Sequence, residues 1–171
     1  ASAGLMSSAA PAVIGLLAWG MLRERPPLRR IAGIACVSLG LLAISRKGGN
    51  LTVGEEQVGA VARAGRARLL LVASDASDHT VRRARSFVAG TAQPLLRLPF
   101  TKDELGDALG VSSCAMAAIT DVRLAQAFVK TLGEPEKYAE LLGDLDVRVR
   151  RVEKRREEEK AHRYNIRHGK K

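Results

Sequence analysis

The chain has 171 residues, 46% of them hydrophobic and only 4% aromatic, with a formal net charge of +10. That length holds one domain of ordinary size plus appendages, with an aliphatic core. The scarcity of rings argues against a single-strand binder that stacks bases, and the charge informs only once it is located. Residues 1–50 carry six Lys/Arg against one acid, residues 51–146 eleven against thirteen, and residues 147–171 eleven against four. A near-neutral middle therefore lies between cationic ends, the last of which suits phosphate or anionic lipid without specifying a sequence.

Leu5–Leu22 and Ile31–Ile44 are two runs without a charge, joined by Arg23-Glu24-Arg25-Pro26-Pro27-Leu28-Arg29-Arg30. Two apolar segments around a charged, Pro-containing turn predict a helical hairpin. The first is about long enough (roughly 18–20 residues) to cross a bilayer, the second marginal. The basic cluster follows the first run, the reverse of a signal peptide's order. Ala10-Pro11-Ala12-Val13, Gly20 through Glu24, and Ile31-Ala32-Gly33 to Gly40-Leu41-Leu42 resemble the last two helices of a drug/metabolite (EamA-type) transporter repeat. The resemblance covers about Ala1–Ser45, and the chain opens on Ala1 as a fragment or truncated reading frame would. Two helices cannot enclose a substrate path, so no transport follows. A spanning hairpin would put the turn's net +3 and the later Arg46-Lys47 pair on opposite sides, so charge sets no orientation. Membrane association through residues 5–44, and helices packed on the domain or fused to it as a remnant, both remain open.

From Leu51 the pattern alternates. Leu51-Thr52-Val53 is a short strand candidate, and Gly54 starts a helix with Glu55 and Glu56 in its first turn, where carboxylates favour the helix dipole. Gly65 ends that helix. Arg68–Ala73 is an apolar run too short for a helix and reads as a buried central strand. Ser74–Asp78 is a turn before a helix over Thr80–Ala89, and Gln93–Leu98 is a further strand. Thr101-Lys102-Asp103-Glu104 is a capping box opening a helix to Leu109. Ser113–Thr120 is a final strand, and Asp121 leads into a helix through Leu132. The order β-α-β-α-β-α-β-α after one helix predicts an α/β, three-layer α-β-α sandwich on a four-stranded mixed sheet.

Four stretches in this order resemble the ribosomal L-seven-Ae group of kink-turn RNA-binding proteins, in its bacterial YlxQ-type branch. They are Leu41–Leu51, Val53–Val58, Gly65–Ala76, and Leu105–Val111 followed by Cys114-Ala115, within about Leu39–Leu132. The resemblance implies an RNA partner, ribosomal in origin, and a monomeric domain. It implies that Gly54, Glu55, Glu56 and Gln57 meet the sheared G·A pairs of the kink. Val111, Ser112 and Ser113 would contact the extruded nucleotide. Helix-start N–H groups suit such contacts. Arg46, Lys47, Arg63 and Arg66 would meet phosphates, fixing register without reading sequence. The strongest binders of the family place Asn, Glu and Lys where this chain has Glu56, Gln57 and Ala60. One phosphate contact is thereby lost, and Glu56 repels RNA.

Enzymatic readings fare worse. Glu55 and Glu56 are adjacent on a helix and point about 100° apart, so they cannot share one bond as an acid pair. Asp75 and Asp78 sit among turn serines that bond their own backbone. Gly54 belongs to no nucleotide fingerprint. Cys36 and Cys114 have no metal-ligand spacing and read as buried small hydrophobes; His79, His162 and His168 form no cluster. No catalytic residue, cofactor or metal is expected. The tail reads as a solvent-exposed helix from Arg148 to about Lys160, with His162–Lys171 disordered until it meets RNA.

The expected organisation is a hydrophobic hairpin over 1–38, an RNA-binding α/β domain over 39–133, and a charged, basic helical tail over 134–171. The expected function is a non-enzymatic, cytoplasmic, ribosome-associated protein that docks structured RNA. The alternative is a membrane-tethered module or truncated transporter fragment whose domain engages a protein.

Overall fold

The computed structural model describes residues 28–169. The chain divides into two units, Ala1–Gly33 and Ile34–Lys171, and the second holds the sheet. The apolar run Leu5–Leu22 and most of the transporter-like stretch lie outside the described residues.

The second apolar run is helix α1, Leu28–Lys47. Ser38, Leu42 and Ser45 recur at helical spacing and are fully buried. Two of these three are polar, and each finds a partner. Ser38 Oγ shares a 2.8 Å hydrogen bond with Thr131 Oγ1, and Ser45 Oγ donates to the Leu41 carbonyl at 2.7 Å. Cys36 was expected to be buried and is exposed instead. Two residues before Ser38, it lies about 200° around the helix from that inward face. No described helix is long and apolar enough to cross a membrane.

The alternation then runs β1 Leu51–Val53, α2 Glu55–Arg63, β2 Leu69–Val72, α3 Asp78–Val88 and β3 Leu95–Arg97. It closes with α4 Lys102–Leu109, β4 Met116–Ile119, α5 Val122–Thr131 and α6 Ala139–Arg167. The Thr101 capping box forms as expected, with Thr101 Oγ1 accepting from Glu104 N–H at 3.3 Å and Glu104 Oε2 from Thr101 N–H at 2.8 Å. Helix α3 starts two residues earlier than expected. Ser77 takes the N-cap and accepts from Thr80 N–H at 3.2 Å, which draws Asp78 into the first turn.

The sheet order is β1-β4-β2-β3, with β4 antiparallel to both neighbours and β3 parallel to β2. Every residue of the central strands β2 and β4 is buried, so both faces are covered. The fold is the expected three-layer α/β sandwich, with α2 and α3 side by side on one face and α1 and α5 joined by the Ser38–Thr131 bond. Strand direction defines two ends. β1, β2 and β3 finish, and β4 begins, at one end, called here the Gly54 end. At the other, Arg68 N–H donates to the Ile119 carbonyl at 2.7 Å, and this is the Arg68 end.

The tail is helical as expected, and more of it belongs to the core than expected. Helix α6 begins at Ala139, and its first half belongs to the core through Leu145 and Val149. Gln126 of α5 donates to Asp146, and Arg123 pairs with Glu153 at 3.9 Å. The helix also continues past Lys160 to Arg167, with the Tyr164 and His168 rings stacked at 4.1 Å. The apolar line Leu142, Leu145, Val149, Val152 has helical spacing, but charges on the other faces dilute it in the sequence. Pairs such as Glu159–Arg163, 3.6 Å apart, support the exposed half.

Candidate nucleic-acid interface

Gly54 N–H donates to the Met116 carbonyl at 3.1 Å, tying the end of β1 to the start of β4. Its φ of 97° and ψ of 146° are accessible to glycine and strained for other residues. As the N-cap of α2, glycine brings no side-chain acceptor. Helices α3, α4 and α5 are capped by Ser77, Thr101 and Asp121. The first turn of α2 therefore keeps backbone donors at the positive end of its dipole for something else to use.

The loop after α4 sits beside this turn. Val111 N–H donates to the Gly106 carbonyl at 2.9 Å, and Cys114 N–H to the Lys102 carbonyl at 2.8 Å. A Cβ on Gly106 would stand 2.8 Å from the Val111 carbonyl oxygen and 2.9 Å from Ser113 Cα, so only glycine lets the loop lie this close. Ser113 precedes by three residues the Met116 carbonyl that holds Gly54. Glu56, Gln57, Ser112 and Ser113 are exposed at this shared end. Arg46, half-buried, donates from its guanidinium to the Leu109 carbonyl, bracing the end of α4. The Cys114 thiol behind the loop is pushed up to about 11 by burial, which outweighs the Met116 carbonyl contact and the Arg46 charge. Burial so favours the neutral thiol over the thiolate.

The other expected residues lie elsewhere. Glu55 is ion-paired to Arg83 of α3 and serves the packing of two helices. Lys47 ends α1 just before β1 begins, Arg63 ends α2, and Arg66 follows in the next loop, all toward the Arg68 end. The nine residues of α2, about 13 Å, separate Arg63 from Gly54. Arg63 also lies over the Phe87 ring, 5.7 Å from its centroid. The structure thus brings Gly54, Glu56, Gln57, Val111, Ser112 and Ser113 to one end, with the Arg46 guanidinium reaching the end of α4, and leaves Lys47, Arg63 and Arg66 apart from them.

Charge separates the two ends. The segments that meet at the Gly54 end carry Glu55, Glu56, Asp75, Asp78, Asp103 and Glu104 against Arg97 and Lys102, with Arg83 paired to Glu55 and Arg46 reaching the end of α4. At the Arg68 end, Arg68, Arg148, Arg151 and Arg155 line a groove of about 440 Å³ with Ala92, Val122, Asp144, Val147 and Val152, the one carboxylate being paired to Arg148. The spacing of Arg148, Arg151 and Arg155 on one helical face is readable in the sequence; their meeting with Arg68 is not. Among the described residues no group of three His, Cys, Asp or Glu is placed to hold a metal ion.

No protein-family model matches the chain, and no curated protein matches it. Among solved structures it is similar to a Bacillus halodurans protein of unknown function, at 24% identity and a TM-score of 0.53, over 57% of this chain and 97% of that one. It is also similar to the Giardia lamblia 15.5kD RNA binding protein, at 20% identity and a TM-score of 0.49, over 60% of this chain and 88% of that one. The first likeness is one of fold, and the second, looser one adds nothing to it.

Proposed function

We propose that this chain is a non-enzymatic RNA-binding protein that docks structured, kink-turn-like RNA at its Gly54 end, working in the cytoplasm on or near the ribosome. The observation that carries this reading is the meeting of an uncapped helix start with an exposed, Gly106-seated serine loop, joined by the 3.1 Å Gly54–Met116 bond. Backbone N–H groups, the Gln57 amide and the Ser112 and Ser113 hydroxyls offer donors to phosphate and base edges without any ionised group. The sequence resemblance to kink-turn binders implies RNA contacts on these same two segments.

The test uses a hairpin with an internal loop of tandem sheared G·A pairs, and the same hairpin with those pairs replaced by Watson–Crick pairs. Titration at low salt, followed by fluorescence anisotropy, is expected to favour the kinked RNA. Gln57→Ala is expected to weaken that preference about tenfold, the scale of one good base-edge contact. Failure of the wild-type chain to bind either hairpin would sink the proposal.

A further inference from the structure

The Gly54 end is rich in carboxylates, so backbone affinity for a polyanion has to come from elsewhere on the molecule. We propose that the groove at the Arg68 end is a second RNA-contacting surface, gripping phosphodiester backbone and supplying most of the electrostatic affinity. This rests on RNA being the ligand, as proposed above.

The chemistry of the groove favours phosphate. Arg68 comes from the lead-in to β2, and Arg148, Arg151 and Arg155 from one face of α6, spanning about 10 Å along its axis. Guanidinium groups stay charged and bind phosphate through paired N–H donors. Arg148 is braced by Asp144 at 2.6 Å and by the Ala92 carbonyl, which holds α6 against the loop before β3. Arg68, Arg151 and Arg155 make no ion pair among the described residues. Besides the arginines the walls are Ala, Val and the Asp144 carboxylate taken up by Arg148, without an aromatic ring, so the site suits backbone contact and offers nothing for bases to stack on. Beyond the groove α6 continues to Arg167 as an exposed helix in which Arg156, Lys160, Arg163 and Arg167 are interspersed with Glu157, Glu158 and Glu159. That half has no sustained apolar stripe to enter a bilayer, and the groove is concave, so a linear polyanion fits better than a membrane surface.

The full chain is titrated with the kinked and the fully paired hairpin between 50 and 200 mM salt, alongside R68E/R151E/R155E, R68K/R151K/R155K and Q57A. The charge reversal is expected to weaken both RNAs on the order of 100-fold and to lower the log–log salt slope by about 2–3, at roughly 0.7–0.9 per phosphate contact. The lysine variant keeps the charge and is expected to retain most of the slope, which separates lost contact from lost folding. Loss of affinity in the reversal with Q57A indistinguishable from wild type supports the groove and removes the reading of the Gly54 end. The proposal is overturned if the reversal binds both hairpins within twofold of wild type with an unchanged slope. It is equally overturned if the reversal instead abolishes binding to vesicles containing anionic lipid while RNA binding persists. A wild-type chain that binds neither hairpin removes both readings.

Discussion

The two ends of this sheet are built from the same strands and differ in almost everything a nucleic acid would meet. At the Gly54 end the donors are backbone amides and neutral side chains, set by a strained glycine and a tightly seated loop, among an excess of carboxylates. At the Arg68 end the donors are guanidiniums on a helix and a lead-in loop, over a floor of small aliphatic residues and the Asp144 carboxylate that pairs with Arg148. The first arrangement can discriminate shape and contributes little long-range attraction. The second attracts any phosphate chain and discriminates little. Recognition and affinity can thus be separated in space, and substitutions at one end ought to leave the other's property intact.

The largest expected effect comes from loosening the helix that builds the cationic end. Leu145 is fully buried where α6 packs, and Leu145→Ala is expected to cost about 2–5 kcal/mol of stability in urea unfolding. RNA affinity should fall with any preference for kinked RNA retained; loss of the preference alone would contradict the division of labour.

Next is the thiol behind the serine loop. Burial raises the Cys114 pKa from 9.0 to about 11, so the neutral thiol is favoured in the folded state. The corresponding stability is present below pH 9 and is lost as pH rises toward about 11, by up to about 2–3 kcal/mol. Denaturant midpoints of the wild-type chain and Cys114→Ala across that window measure it, and parallel curves would refute it. At pH 8 a thiol reagent should label the native chain at exposed Cys36 and reach Cys114 only on unfolding.

Gly54→Ala forces a side chain into a backbone conformation that favours glycine, at a cost of about 1–3 kcal/mol. It should impair discrimination between kinked and paired RNA and leave the salt slope unchanged, which a pair of titrations reads directly. The smallest effect is at Glu56. This exposed acid repels phosphate without packing, so Glu56→Gln should change stability by less than about 0.5 kcal/mol. It should tighten RNA binding at low salt by a few-fold, and no gain would mean that RNA does not approach this turn.

Much of the fold could be read because its signals are local. The apolar run Leu69–Val72 is too short for a helix, Thr101 and Glu104 carry both halves of a capping box, and Asp121 stands one residue before α5. Glycines at helix ends and carboxylates in first turns act through backbone geometry within a few residues, so their meaning survives without the tertiary structure. The tail carries a weaker signal. Leu142, Leu145, Val149 and Val152 mark a buried face, but in a segment dense with Arg, Lys and Glu only the presence of α5 opposite shows that the face is covered.

The candidate sites divide in the same way. The residue types of the Gly54 turn and the serine loop stand in two short stretches of sequence, and resemblance pairs them. What brings them together is a long-range pairing, β1 against β4, expressed in the Gly54–Met116 hydrogen bond. Glu55, Lys47, Arg63 and Arg66 look alike as charged neighbours of that turn. Strand direction and helix length send three of them toward the far end, and Arg83 of α3 takes the fourth. The arginine groove lies at the extreme of this dependence. Alternation, caps and the neutral middle with cationic flanks were determined by the sequence itself, because those effects operate between near neighbours. Which charges share a surface was decided by the tertiary structure alone, because Arg68 and α6 meet only when the sheet and its covering helices close over a common core.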